Sequence, residues 1–94
     1  MTTIEKAVVR STGDEVRVIR YDRARLTTGL EIMTALERAG YFVIGTPSAF
    51  RWKSGKDKTF TSAPRNAVFL LSESGAVTAV LPYLYFNAHY RIQR

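Results

Sequence analysis

The chain has 94 residues, 46% of them apolar and 12% aromatic, and 14 Lys and Arg stand against eight Asp and Glu for a net charge of +6. This composition excludes an intrinsically disordered chain, and the length predicts a single domain over residues 1–94. The absence of cysteine excludes disulfides and thiolate metal sites. No apolar run approaches the roughly 20 residues of a membrane span. With no secretory signal pattern at the N-terminus, we expect a cytoplasmic protein that does not contact a membrane.

The basic charge is concentrated in the second half of the chain. Residues 1–40 contain seven basic and six acidic side chains, for a net charge of +1. Residues 41–94 contain seven basic side chains against Asp57 and Glu73, for a net charge of +5. A surface of this sign attracts anionic partners such as nucleic acid or acidic proteins.

A hairpin and a helix are predicted over the first 40 residues. Residues 3–21 contain two stretches rich in β-branched side chains on either side of "STGD", which is typical of a β-hairpin. Residues 28–39 carry apolar side chains at helical spacing, and Thr28 with Glu31 matches a capping box at the helix N-terminus. Gly40 follows where a glycine commonly ends a helix.

The chain beyond Gly40 is predicted to form strands. An apolar strand at 41–46, expected in the middle of a sheet, is followed by a second hairpin at 48–62 and a third at 67–81. Residues 83–93 alternate between apolar and polar side chains after Pro82, which predicts a last strand. Together these elements predict an α+β domain in which one amphipathic helix packs on a mostly antiparallel sheet of six or seven strands built from hairpins.

The second hairpin contains "RWKSGKDKTF", the densest basic stretch of the chain, at residues 51–60. A three-residue loop in this hairpin places Phe50 opposite Phe60 and Trp52 opposite Lys58. Aromatic pairs across strands stabilise a hairpin by up to about 1 kcal/mol, which favours this register. The aromatic side chains then face the core, while the intervening basic side chains face away.

Basic side chains on a two-stranded ribbon are suited to binding phosphate groups. The leading hypothesis is therefore a small, basic, non-enzymatic domain that binds nucleic acid through this hairpin, with DNA and RNA both left open. The alternative for the same stretch is a solvated edge whose lysines prevent sheet-to-sheet aggregation. The candidate nucleic-acid-binding residues are Arg51, Lys53, Lys56, Lys58, Arg65 and Arg91.

The predicted last strand carries a second candidate surface, because Tyr83, Tyr85 and His89 share its polar face. Tyrosine-rich faces are typical of protein interfaces, so this interaction face predicts a protein contact or a homodimer formed by pairing with a second copy. The corresponding functional alternative is a protein-interaction module. It would be an inhibitor or regulator from a mobile genetic element, phage or plasmid, that docks on an acidic protein or a nucleoprotein machine.

Motifs for catalysis and for cofactors are missing from the sequence. A single histidine, His89, without cysteine does not supply a zinc site, and no glycine-rich phosphate loop is present. We therefore expect neither metal nor cofactor, and no catalytic residue is assigned. One enzymatic alternative stays open, a ribonuclease-type toxin in which Tyr85, His89 and Arg91 act on the phosphodiester.

Overall fold

The computed structural model describes residues 3–93, which form an α+β fold with two helices and two antiparallel sheets. In chain order the elements are β1 (Ile4–Val9), β2 (Glu15–Arg20), α1 (Leu26–Arg38), β3 (Phe42–Thr46), β4 (Ala49–Lys53), β5 (Thr61–Ser62), β6 (Val68–Leu71), β7 (Val77–Leu81), α2 (Tyr83–His89) and β8 (Tyr90–Ile92). Neither of these helices is long and apolar enough to cross a membrane.

The strands are divided between a large sheet and a small one. The large sheet has the order β7-β6-β2-β1-β8, and the small sheet has the order β3-β4-β5. The predicted α+β class with antiparallel hairpins is confirmed. The prediction of six or seven strands in one sheet is wrong, since the described residues form eight strands in two sheets.

Both faces of the large sheet are covered. On one face α1 and the small sheet enclose a core that includes Ile19, Leu36, Trp52 and Phe69. On the opposite face Phe86 of α2 packs in a second cluster with Ala7, Val18, Val68 and Leu70. The alternation along β2 and β6 explains this arrangement, because successive side chains of a strand point to opposite faces.

Helix α1 begins earlier than predicted, at Leu26, and Thr28 lies inside it. The predicted capping box is therefore wrong. The buried Thr28 hydroxyl instead lies 2.8 Å from the Arg25 carbonyl oxygen and 2.9 Å from the Asp22 carbonyl oxygen, both of which can accept its proton, and it accepts from the Asp22 N–H at 3.1 Å. The Glu31 carboxylate accepts a hydrogen bond from the Thr3 hydroxyl instead of one from the backbone N–H of a cap residue. The Thr28 hydroxyl is thus bonded to the segment just before α1, and the Glu31 carboxylate to the distant Thr3, so these two side chains do not form the predicted capping box.

The C-terminal end of α1 confirms the predicted role of Gly40. This residue has a φ of 92°, and its N–H donates to the Glu37 carbonyl oxygen at 3.0 Å. The N–H of Tyr41 donates to the Leu36 carbonyl oxygen at 3.1 Å. These two bonds form a Schellman motif, which turns the chain sharply from α1 into β3.

Gly40→Ala is expected to lower the free energy of unfolding by about 1–2 kcal/mol, because a left-handed conformation costs an L-residue roughly that much. Nothing lies within 4 Å of a Cβ added at this position, so no steric clash adds to the cost. Urea denaturation measures the difference. A loss above about 3 kcal/mol would contradict a purely backbone effect.

The segment predicted as a last strand is a helix followed by a short strand. Pro82 precedes α2 with φ −61° and ψ 149°, an extended conformation that allows the helix to begin at the next residue. Phe86 stacks on Tyr90 with ring centroids 5.2 Å apart, so partners four residues apart replace the expected alternation. Leu84, which the alternation places on the apolar face of the predicted strand, is 81% exposed.

Candidate nucleic-acid interface

The small sheet presents one face to solvent, which we call the outer face and define by Phe42, Ile44, Arg51, Lys53 and Phe60. Phe42 pairs with Lys53 and Ile44 with Arg51 in the register of β3 and β4. Phe42 is 60% exposed and Ile44 is 41% exposed. The outer face therefore combines apolar side chains with basic ones.

The inner side of the same strands belongs to the core. Phe50 and Trp52 are buried, as the predicted alternation of the hairpin requires. Phe50 lies 5.1 Å from the Tyr21 ring and 6.2 Å from the Phe69 ring, and Trp52 lies 5.6 Å from Phe69, measured between centroids. Trp52 is thus unavailable for stacking on a ligand, and β4 is anchored with its basic positions facing outward.

The turn between β3 and β4 is attached to the rest of the molecule through the carbonyl group of Pro47. The Tyr21 hydroxyl donates to this oxygen at 3.1 Å. Gly29 of α1 lies so close that an added Cβ would come within 1.9 Å of the same oxygen. The strand at 41–46 was expected in the middle of a sheet, but β3 lies at the edge of the small sheet. Phe42 and Ile44 are exposed because their side chains lie on the solvent-facing side of the small sheet, as does that of Arg51 on the central strand.

The predicted register of β4 and β5 is wrong. Arg51 pairs with Ser62, and Trp52 pairs with Thr61 rather than Lys58. Residues 54–60 form a longer connection, which we call the tip loop. Its first turn is closed by Asp57, whose N–H donates to the Ser54 carbonyl oxygen at 3.1 Å and whose carboxylate accepts from the Ser54 N–H at 3.3 Å.

The longer tip loop brings Phe60 to the outer face instead of the core. The Phe60 ring centroid lies 5.3 Å from Lys53 Nζ and 5.8 Å from Arg51 Cζ. Both distances are within the range of cation–π interactions. Phe50 does not need Phe60 as a partner, because Tyr21 and Phe69 supply its aromatic contacts.

The basic side chains of β4 and the tip loop have no carboxylate partner in the described part of the chain. The ion pair found there joins Arg20 and Glu5 of the large sheet at 2.6 Å, and this hydrogen bond raises the pKa of Arg20. Asp57, the only acid of the tip loop, is used by the backbone of Ser54. Lys56 and Lys58 are exposed. Their charges are therefore available to an anionic ligand.

A shallow groove of about 250 Å³ has Arg51 in its lining, together with Arg23 and Ser62, among others. The Arg23 Nε donates to the Ser48 carbonyl oxygen at 3.2 Å. Burial raises the pKa of Tyr21 at the base of the groove, and Arg23 opposes part of this shift. Arg23 carries no sequence signal that links it to the hairpin, because it precedes α1 and is distant from the hairpin in the chain.

The remaining two candidate residues lie in different places. Arg65 is exposed in the turn that follows β5, two positions after Ala63, which lines the groove. Arg91 lies in β8 of the large sheet, opposite Val8, and lines a separate pocket with Arg10. The structure therefore does not place Arg91 in the sheet that carries the hairpin.

The predicted interaction face is rearranged by α2. Tyr85 and His89 share one side of this helix with ring centroids 4.3 Å apart, while Tyr83 lines a pocket with Arg20. Strand pairing with a second copy through these residues is excluded by their helical conformation. Arg91, the third residue of the ribonuclease alternative, lies beyond the helix in β8.

No protein-family model, curated protein or solved structure matches the chain. Functional inference therefore depends on the residues themselves. The outer face has three relevant properties: exposed aromatic and aliphatic side chains, basic side chains for which residues 3–93 supply no carboxylate partner, and strands that pack against α1 and the core.

Proposed function

We propose that the chain is a non-enzymatic domain that binds nucleic acid by contacting phosphate groups with the β4 strand and the tip loop. One observation carries the proposal: Arg51 and Lys53 occupy the central strand of the small sheet, face away from the core and have no carboxylate partner in residues 3–93. Cations arranged in this way release the counterions of a polyanion when they neutralise its phosphates.

Further basic residues lie close to β4, in the chain or in the fold. Lys56 and Lys58 follow Lys53 in the exposed tip loop, and Arg23 lines the same groove as Arg51. A polyanion lying along β4 would meet these side chains in succession. The packing of Phe50 and Trp52 supports the proposal, because it holds the strand rigidly and limits the entropy lost on binding.

Titration of fluorescently labelled oligonucleotides, followed by anisotropy at several salt concentrations, tests the proposal. We expect binding that weakens with salt, with a slope of log K against log salt of about −0.7 for each phosphate neutralised in a single strand. About four contacts would give a slope near −3. Absence of binding to single-stranded and duplex DNA and RNA at low salt would contradict the proposed function.

The exposed side of α2 favours a second candidate function, docking on a larger protein or nucleoprotein machine. Leu84 is 81% exposed and Tyr85 is 51% exposed on this short helix. Neighbouring exposed apolar side chains are typical of protein contacts. After nuclease treatment, a partner retained in fixed ratio by the wild-type chain and released by Leu84→Glu would support this candidate. Release by Lys53→Glu instead would assign the contact to the outer face.

A further inference from the structure

Phosphate binding leaves part of the outer face unexplained. Phe42 is 60% exposed and Ile44 is 41% exposed, and both lie on the same side of the sheet as Arg51 and Lys53. Apolar side chains exposed together cost free energy in water and are typical of a binding surface. A phenyl ring has no attraction for a phosphate group. The position of Phe42 among basic residues therefore calls for a ligand that combines phosphate with a flat apolar group.

We infer that this group is an unpaired nucleobase, so that the ligand is single-stranded nucleic acid with a base stacked on Phe42. The inference rests on the proposed function and specifies its ligand. Every base has a π-face that stacks on an aromatic ring, whereas a duplex keeps those faces inside its own stack. The charge of the outer face favours a nucleic acid over an apolar protein surface, since Arg51 and Lys53, which share this face with Phe42, lack carboxylate partners in the described residues.

The register places ring and cation at the spacing that this mode of binding requires. Phe42 is the direct partner of Lys53, and neighbouring strands lie about 4.8 Å apart. A base on Phe42 would thus have its own backbone within reach of the Lys53 amine. The Cε2 atom of Phe42 also lies 3.7 Å from the position of a Cβ added to Gly55, so the ring borders the tip loop at the residue that precedes Lys56.

The other aromatic residues of the hairpin are less suited to stacking. Trp52 is 5% exposed, and Phe50 is 4% exposed, so both belong to the core. Phe60 is half-buried, and its ring is already contacted by the cationic groups of Arg51 and Lys53. Phe42 is therefore the stacking platform, while Phe60 holds the two cations in place.

Two substitutions at Phe42 separate stacking from general apolar contact. Phe42→Leu keeps an apolar side chain but removes the ring, and Phe42→Trp keeps a ring. Leu84→Ala, which truncates an exposed apolar residue on α2, is the matched control. Dissociation constants for labelled single-stranded DNA, single-stranded RNA and duplex DNA are measured by anisotropy, and circular dichroism checks that each variant is folded.

We expect the wild-type chain to prefer single strands over duplex at equal length. Phe42→Leu should weaken single-strand binding by about 10- to 100-fold, the contribution of one stacked base, with little effect on duplex binding. Phe42→Trp and Leu84→Ala should bind single strands as the wild type does. The DNA and RNA arms show which sugar is preferred.

Two results would overturn the inference. They differ in whether the proposed phosphate binding is also refuted. Equal binding of single strands and duplex, with Phe42→Leu unchanged, would refute stacking but leave the proposed phosphate contacts intact. Absence of binding to every oligonucleotide would refute the proposed function as well, and the outer face would then be assigned to a protein partner.

Discussion

Replacing Lys53, Lys56 and Lys58 together by Glu is expected to abolish nucleic-acid binding. One of these lysines lies in β4 beside the Phe60 ring, and the other two are exposed in the tip loop. Hydrogen bonds to charged groups contribute about 1.5–3 kcal/mol each, so three lost contacts weaken binding by about 1000-fold or more. Repulsion between the new carboxylates and phosphate adds to this loss. Anisotropy titration at low salt measures it.

A charge-matched variant shows whether position or net charge is responsible. Lys6, Arg17 and Arg91 are exposed on the large sheet, and their replacement by Glu also lowers the net charge from +6 to zero. We expect this variant to retain most of the binding, with a smaller loss from long-range electrostatics. Equal losses in the two variants would show that net charge alone attracts the polymer. Unchanged binding after the lysine replacements would exclude the hairpin as the site.

Gly29→Ala is expected to destabilise the fold although it lies in a helix, where alanine is favoured by about 1 kcal/mol. An added Cβ would lie 1.9 Å from the Pro47 carbonyl oxygen and 2.7 Å from its carbon, which are backbone atoms. Accommodating it requires α1 and the turn between β3 and β4 to separate. Such overpacking costs about 1–3 kcal/mol or more, and we expect the upper end here because backbone atoms must shift. After the gain of about 1 kcal/mol in helix propensity, the net loss is about 2 kcal/mol. The melting temperature should fall by roughly 10 °C.

Thermal and urea denaturation of Gly29→Ala and Gly40→Ala together form the matched test. The two substitutions are chemically identical and lie at opposite ends of α1, but only Gly29 has backbone atoms within 3 Å of the added Cβ. A more stable Gly29→Ala variant would show that helix propensity dominates and that the close approach to Pro47 does not position the small sheet. Increased amide exchange confined to β3 and β4 would be the local signature of the expected loosening.

Local patterns in the sequence were sufficient to predict several elements of the fold. The first hairpin, α1 and the turn at Gly40 depend on interactions between residues close in the chain, as the Schellman bonds of Gly40 and Tyr41 illustrate. The burial of Phe50 and Trp52 follows from strict alternation along one strand. Features of this kind are determined by backbone geometry and need no knowledge of the other layers.

The remaining features depend on contacts between distant parts of the chain. The segment after Pro82 alternates like a strand, but it also places Phe86 and Tyr90 at the spacing of one helical turn. The large sheet has an apolar face that needs a cover, and Phe86 in a helix supplies it. The misplaced capping box has a local cause instead, because α1 begins at Leu26 and the Thr28 hydroxyl bonds to Asp22 and to the Arg25 carbonyl oxygen nearby in the chain. Local propensity cannot distinguish a strand from a helix when the same residues fit the periodicity of both. Packing against the rest of the molecule then determines which of the two forms.

The candidate site was only partly predictable for the same reason. Arg51 and the tip-loop lysines could be located from alternation and charge, but Arg23, Phe42 and Ile44 were missed. One signal was present for the last two. Thr46 pairs with Ala49 around a two-residue turn, and so short a turn makes the strand at 41–46 the direct neighbour of β4. Phe42 and Ile44 then fall opposite the basic residues.

The most direct test of the central claim is a map of the backbone amide signals of the isotopically labelled chain during titration with a single-stranded oligonucleotide. We predict shifts in β3, β4 and the tip loop, with the largest changes near Phe42, Arg51 and Lys53. Signals of α2 and β8 should stay in place. Shifts concentrated in α2 and β8, with the outer face unaffected, would contradict the assignment of this surface as the nucleic-acid interface.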